Sequence, residues 1–173
     1  MYSVIPVPMP SDSAIATSLP RIDYADAYRC RLPGVRRYTL DEAVRLVFAT
    51  APAWVKTLLQ LRNTLMRPLG LKADPPRPAQ TTDGALRPGE RLGLFRVFDR
   101  QPTELIMGEN DRHLDFRVAL LLRDEATVQW VTVTTVVCFH NLLGRAYFLV
   151  VRPFHQLIVP ALMRQALKAA ACE

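Results

Sequence analysis

Residues 114 to 139 constrain the fold more tightly than any other part of the chain. Leu114, Phe116, Val118, Leu120 and Leu122 occupy alternate positions, while Asp115, Arg117, Ala119 and Arg123 fall mostly on the other side. Two residues is the period of a β-strand, so this segment reads as a strand with one apolar face. Arg123-Asp124-Glu125-Ala126 then reads as a turn. It leads into a second strand, from Thr127 to Phe139, rich in β-branched residues from Val128 through Val131, Val133 and Thr135 to Val137. A sheet with one apolar face must bury that face against another layer. Whether Trp130, Thr132 and Thr134 share the face of Phe116 depends on turn length, because a one-residue slip reverses every side chain. The sequence leaves that register open.

The rest of the chain supplies the other strands and a cover. Tyr24 to Leu32 alternates weakly and reads as a first strand, ended by Pro33-Gly34. Thr39-Leu40-Asp41-Glu42 matches a capping box, in which hydroxyl and carboxylate each satisfy a free backbone N–H, so a short helix starts there. Pro52 breaks it and opens a second, Ala53 to Met66, with Trp54, Leu58, Leu61 and Leu65 at helical steps. The proline- and glycine-rich stretch at 68–90 reads as a long loop. Two further strands are expected at Arg91 to Phe98 and Thr103 to Glu109. The segment Leu142 to Ala171 reads as a long helix kinked by Pro153 and Pro160. The expected architecture is therefore α+β, with one domain over 21–173. Residues 1–20, with four prolines, read as an extended or poorly ordered arm.

Composition removes several classes of function. Half of the 173 residues are hydrophobic and 22% are charged, so a real core is available. The net charge of +6 is carried mainly by arginines spread along the chain and mixed with Asp and Glu. A nucleic-acid binder gathers such charge into a patch, so no nucleic acid is expected. Cys30, Cys138 and Cys172 match neither a disulfide framework nor a zinc spacing, and read as reduced thiols. The N-terminus is no signal peptide, and Arg145 and Arg152 interrupt the apolar terminal segment, so no transmembrane segment is expected and the location reads as cytoplasmic.

Particular residues in this order carry a resemblance. They are Asp111-Arg112-His113-Leu114-Asp115-Phe116-Arg117, then Thr134-Thr135-Val136-Val137 with Asn141, Gly144, Arg145 and Tyr147, then Pro153-Phe154-His155 and Ile158, with Trp54 and Leu61-Arg62-Asn63. Over residues 22 to 167 the chain resembles the helix-grip superfamily, which includes START lipid-transfer domains, plant Bet v 1 proteins and polyketide cyclases (the SRPBCC group). Within it, the chain looks like a bacterial branch known only as a domain of unknown function. The resemblance implies a curved antiparallel sheet wrapped around the terminal helix, with an often apolar cavity between them. It also implies a possible NAD(P)-binding partner, because members of the branch occur fused to short-chain-dehydrogenase-like domains. It implies no catalytic residue and no cofactor.

The expected cavity lining is Phe95, Phe116, Val118, Trp130, Thr132, Thr134, Tyr147, Val151 and His155, mainly apolar with a few polar groups, as small-molecule pockets are. Asp111, Arg112, His113, Asp115, Arg117, Asn141 and Arg145 form a polar set around the strand-to-helix passage. Asn141 suits a helix N-cap, and Arg145 is expected to pair with Asp115 or Asp111. His113, His140 and His155 match no metal-ligand spacing, and no phosphate loop or nucleophile elbow is present. Three functions follow as expectations: a domain that binds a small apolar or amphipathic molecule; a cyclase- or isomerase-like enzyme using His155 or Asp115 and Arg117; and an accessory module for an NAD(P)-binding protein. The first, a non-enzymatic one, is preferred.

Overall fold

The computed structural model describes residues 3–34, 36–49, 85–93 and 95–171. The expected second helix, Ala53 to Met66, and most of the expected loop at 68–90 lie outside the described residues. Strands β1 (Val4–Pro6), β2 (Tyr24–Arg31), β3 (Arg91–Leu92), β4 (Phe95–Arg100), β5 (Glu104–Asn110), β6 (Leu114–Glu125) and β7 (Val128–Phe139) accompany helices α1 (Leu40–Ala49) and α2 (Leu142–Ala170). The strands form one sheet in the order β1-β2-β7-β6-β5-β4-β3, with antiparallel neighbours throughout. The first long strand closes beside the last, and the terminal helix follows directly. This is the helix-grip arrangement.

Local chemistry explains the elements. At the start of α1 the Thr39 hydroxyl accepts from the Glu42 N–H, and Glu42 accepts from the Thr39 N–H at 2.7 Å, so the capping box is formed. The Arg100 guanidinium donates to both carboxylate oxygens of Asp41, at 2.7 and 2.8 Å, tying α1 to β4 and holding the Asp41 carboxyl below its usual range. The strand expected at Arg91 to Phe98 is interrupted. Gly93 takes φ +60°, a left-handed conformation open to glycine, and the chain folds back so that Leu92 pairs with Phe95. The turn between β6 and β7 is also tighter than expected. Glu125 pairs with Val128, leaving Ala126 and Thr127 as a two-residue loop, with Ala126 at φ 51°.

That short loop settles the register. Leu122 lies opposite Val131, Leu120 opposite Val133, Val118 opposite Thr135 and Phe116 opposite Val137. These residues share the front face, under the helices. Val97, Leu105, Met107, Leu120, Val131 and Val133 are fully buried there against Val44 of α1 and Met163 and Leu167 of α2. Trp130, Thr132 and Thr134 therefore point to the back.

The back face is covered by the N-terminal arm, which differs from the loose arm expected. Ile15 and Leu19 are buried against Ile106, Ala119, Val136 and Cys138. The Glu104 carboxylate, itself buried, accepts from the Ser13 hydroxyl and, at 2.9 Å, from the Ala14 N–H. Arg123 pairs with Asp12 beside it. A proline-rich stretch without periodicity gives no helix or strand signal, yet its few apolar side chains fill a sheet face that would otherwise be wet. The sheet is thus sandwiched between arm and helices.

Asn141 caps α2, its side chain accepting from the Gly144 N–H at 2.9 Å. The helix runs through Pro153 and Pro160 as one element of 29 residues. Residues 144–151, which alone would pass for a strand, are helical. Among the described residues α2 is the one helix long and apolar enough to cross a membrane, with mean hydropathy 1.3 over its most apolar stretch. One side of it nevertheless rests on the sheet.

Candidate functional site

Strand periodicity places Tyr24, Asp26, Tyr28 and Cys30 on the front face of β2. There Tyr24 lies opposite Val137, Asp26 opposite Thr135 and Tyr28 opposite Val133. Helix periodicity turns Tyr147, Phe148, Val151 and His155 of α2 toward the same end of the sheet. Phe148 stacks between Tyr24 and Phe139, with ring centroids 4.7 and 5.4 Å away. Further along the front face, Phe48, Phe95 and Phe116 form an edge-to-face series at 5.8 and 6.0 Å. Tyr28, Phe95, Phe116 and Val151 are only half-buried, although all face the interior between sheet and helix. The layers close tightly around Met163 and Leu167 and more loosely at these aromatics.

A polar cluster lies inside this apolar interlayer. The Tyr24 hydroxyl donates to Asp26 Oδ2 at 2.7 Å, and His155 Nε2 stands 3.1 Å from both Asp26 oxygens. A carboxylate only accepts, so Nε2 carries the proton and donates. Gln156 donates to the Tyr24 oxygen at 3.4 Å, and the Arg152 guanidinium stands 5.4 Å over the Tyr24 ring. Asp26 and His155 keep side-chain exposures of 13% and 17%, so the cluster can be reached. Opposite Asp26 on β7, the Thr135 hydroxyl is buried and, among the described residues, has no hydrogen-bond partner. A polar group orphaned in this way costs about 1–3 kcal/mol, which the fold would shed by using valine.

Burial, and secondarily the Asp26 carboxylate, push the Tyr24 phenol up to about 12; the same two causes raise Tyr28. Burial alone pushes the Cys30 thiol up to about 12. A raised phenol holds its proton in the folded chain at pH values where the unfolded chain has lost it. Its contribution to stability is therefore complete below pH 10 and disappears as pH climbs towards 12. An ultraviolet absorbance titration, wild type minus Tyr24→Phe, should show one phenol ionising late. A difference curve centred at the ordinary tyrosine value would contradict the buried Tyr24–Asp26 bond.

Of the lining expected from sequence, Phe95, Phe116, Val118, Tyr147, Val151 and His155 face the interlayer. Trp130, Thr132 and Thr134 do not: the two-residue loop turns them to the back, where Arg29 stacks 4.2 Å from the Trp130 ring. Asp115 and Arg117 also face the back. Arg117 is buried over the Phe98 ring at 3.5 Å, and burial lowers its pKa. Asp115 meets His140 at 3.1 Å and accepts from the Asp111 N–H. The expected pairing of Arg145 with Asp115 or Asp111 is not formed among the described residues; Arg145 is exposed and its charge acts on Asp23. His113 is buried with its Nδ1 3.0 Å from the Asn141 amide, and Arg112 is exposed with its N–H on Asp111. His113, Asn141, Asp111 and Asp115 thus fasten the entry of α2 to the β5–β6 turn.

The three histidines have separate partners, and among the described residues no cluster of three or more His, Cys, Asp or Glu is placed to hold a metal ion. Tyr24, Asp26 and Thr135 were missed as site residues. The available signal was the lone acid at an alternate position between Tyr24 and Tyr28, where an apolar residue would complete the strand's inner face.

The family described as "Protein of unknown function (DUF2867)" matches residues 18–162. No curated protein sequence matches the chain. Among solved structures, the crystal structure of CalU16 from Micromonospora echinospora is 13% identical, covers 99% of this chain and 94% of that one, and superposes with a TM-score of 0.33.

Proposed function

This chain belongs to the family described as a protein of unknown function (DUF2867), and we propose that it holds a small apolar or amphipathic molecule between sheet and terminal helix. The polar end of the molecule lies at Thr135 and Asp26, and its apolar body lies against Phe116, Phe95 and Tyr28. One observation carries the reading: a buried hydroxyl without a partner among the described residues, beside a half-buried carboxylate, in an otherwise apolar interlayer. A ligand bearing a hydroxyl or carbonyl group supplies the missing partner for Thr135. Aromatic walls supply area and shape at low entropic cost.

Thr135→Val tests this directly, because the two side chains have nearly the same shape. The variant should be more stable than wild type by about 1–2 kcal/mol in urea unfolding, since it deletes an unsatisfied buried group. It should also lose affinity for hydroxyl- or carbonyl-bearing polycyclic aromatics and fatty acids, read by native mass spectrometry. Retention of none of these ligands by wild type, or a destabilised variant, would count against the proposal.

A second reading, a cyclase- or isomerase-like enzyme, is favoured by the Asp26–His155 contact. A carboxylate that fixes one imidazole nitrogen leaves the other for proton transfer. In that case Asp26→Asn keeps ligand retention and abolishes turnover.

A further inference from the structure

The helix α2 is apolar on two opposite sides, and the sheet covers only one. Leu142, Ala146, Leu149, Val150, Pro153 and Leu157 recur at steps of three and four residues and form an outward ridge. Leu142 is 82% exposed, Leu149 69%, Leu157 65% and Val150 61%. Phe154 widens the ridge on one edge. Only 28% of the most apolar stretch of the helix is buried. Isolated exposed leucines are common on soluble proteins; a continuous row along four turns is not, and marks a contact surface.

Charge identifies what covers it. Arg145 and Arg152, seven residues apart, flank the other edge of the ridge, and Arg164 and Lys168 continue the basic series toward the C-terminus. The 29 residues of α2 include no Asp or Glu. Among the described residues no ion pair uses these four side chains, and all four are exposed. The covering surface must therefore be apolar along its middle and negative along its margin. A second copy meeting the first about a two-fold axis, helices antiparallel, would set the Arg145–Arg152 edge against itself, like charge on like. An anionic bilayer surface offers acyl chains to the ridge and phosphate groups to arginines whose long stems reach up from it.

We propose that α2 rests its outer ridge on an anionic membrane surface, lying in the interface plane while its inner face stays on the sheet. This contact is independent of any molecule held between sheet and helix.

Flotation of the full chain with vesicles of phosphatidylcholine, with and without phosphatidylglycerol, tests it. Wild type should float with the anionic vesicles and far less with the neutral ones, and high salt should weaken the association. Leu149→Gln/Leu157→Gln alters two solvent-facing side chains, should keep the wild-type circular dichroism spectrum, and should lower vesicle partitioning about tenfold or more. Arg145→Gln/Arg152→Gln should remove the preference for anionic lipid while leaving the ridge intact. The proposal is overturned by no association with either vesicle, or by variants that partition like wild type. It is equally overturned by a dimer in light scattering that the leucine variant dissociates, which assigns the ridge to a second copy. Hydroxyl-radical footprints that leave Leu149 and Leu157 protected in the vesicle-free monomer assign it to the chain itself, and overturn it too.

Discussion

Replacing Gly144 with alanine is expected to destabilise the chain by about 3 kcal/mol, although alanine is the better helix former by about 1 kcal/mol. Two effects of opposite sign compete at this position. The helix gains from alanine because glycine loses more backbone freedom on folding. Against that, a Cβ at Gly144 would lie deep inside contact distance of the His113 carbonyl oxygen and 2.9 Å from the His113 carbonyl carbon. Both atoms are backbone and cannot rotate away. His113 is held by its own bonds, its carbonyl accepting from the His140 N–H at 3.0 Å and its ring meeting Asn141 at 3.0 Å. Relief of the clash therefore requires the first turn of α2 to lift from the β5–β6 turn, which opens the Asn141 cap as well. Urea unfolding of wild type and Gly144→Ala measures the balance. An unchanged or raised midpoint would mean that the helix entry is free to shift, and that the polar set around His113 fixes nothing.

The parts of this architecture that the sequence disclosed are those where local chemistry and tertiary packing agree. The alternation from Leu114 to Leu122 is both a strand signal and the pattern of the buried front face. Thr39 and Glu42 satisfy backbone groups within their own turn, so no distant contact was needed to find the start of α1. Asn141 is legible for the same reason. What was hidden depends on distant partners. The arm has no periodicity, and its order comes from Glu104, about ninety residues away along the chain. The facing of Thr132, Thr134 and Trp130 turned on whether the hairpin loop held two residues or more. Ala126 adopts a left-handed φ of 51°, a conformation that glycine or asparagine would have advertised and alanine does not. His155 was legible as an inward residue of α2. Its partner Asp26 was not, because strand and helix are brought together only by the closure of β2 on β7.

Glu104→Ala is the second change expected to act strongly, lowering stability by about 3–4 kcal/mol and releasing the arm from the sheet. The glutamate is 3% exposed and Ser13 5%, so their bond is shielded from water on both sides. Removing the carboxylate leaves the Ser13 hydroxyl and the Ala14 N–H without an acceptor, and hydrogen bonds to a charged group are worth about 1.5–3 kcal/mol each. The argument has a counterweight, because a buried carboxylate is itself costly to desolvate and an apolar replacement can recover that cost. The backbone decides between them. Ser13→Ala removes one donor, but the Ala14 N–H belongs to the backbone and stays, so an apolar residue at 104 takes away its acceptor. Glu104→Leu should therefore remain less stable than wild type, Glu104→Gln should fall between, and a double-mutant cycle with Ser13→Ala should show coupling of about 1 kcal/mol or more. Hydrogen exchange across residues 13–19 separates local release from global unfolding. In Glu104→Ala those amides should exchange far faster than the strands β6 and β7, whereas uniform acceleration would mean that the arm and the sheet unfold as one unit.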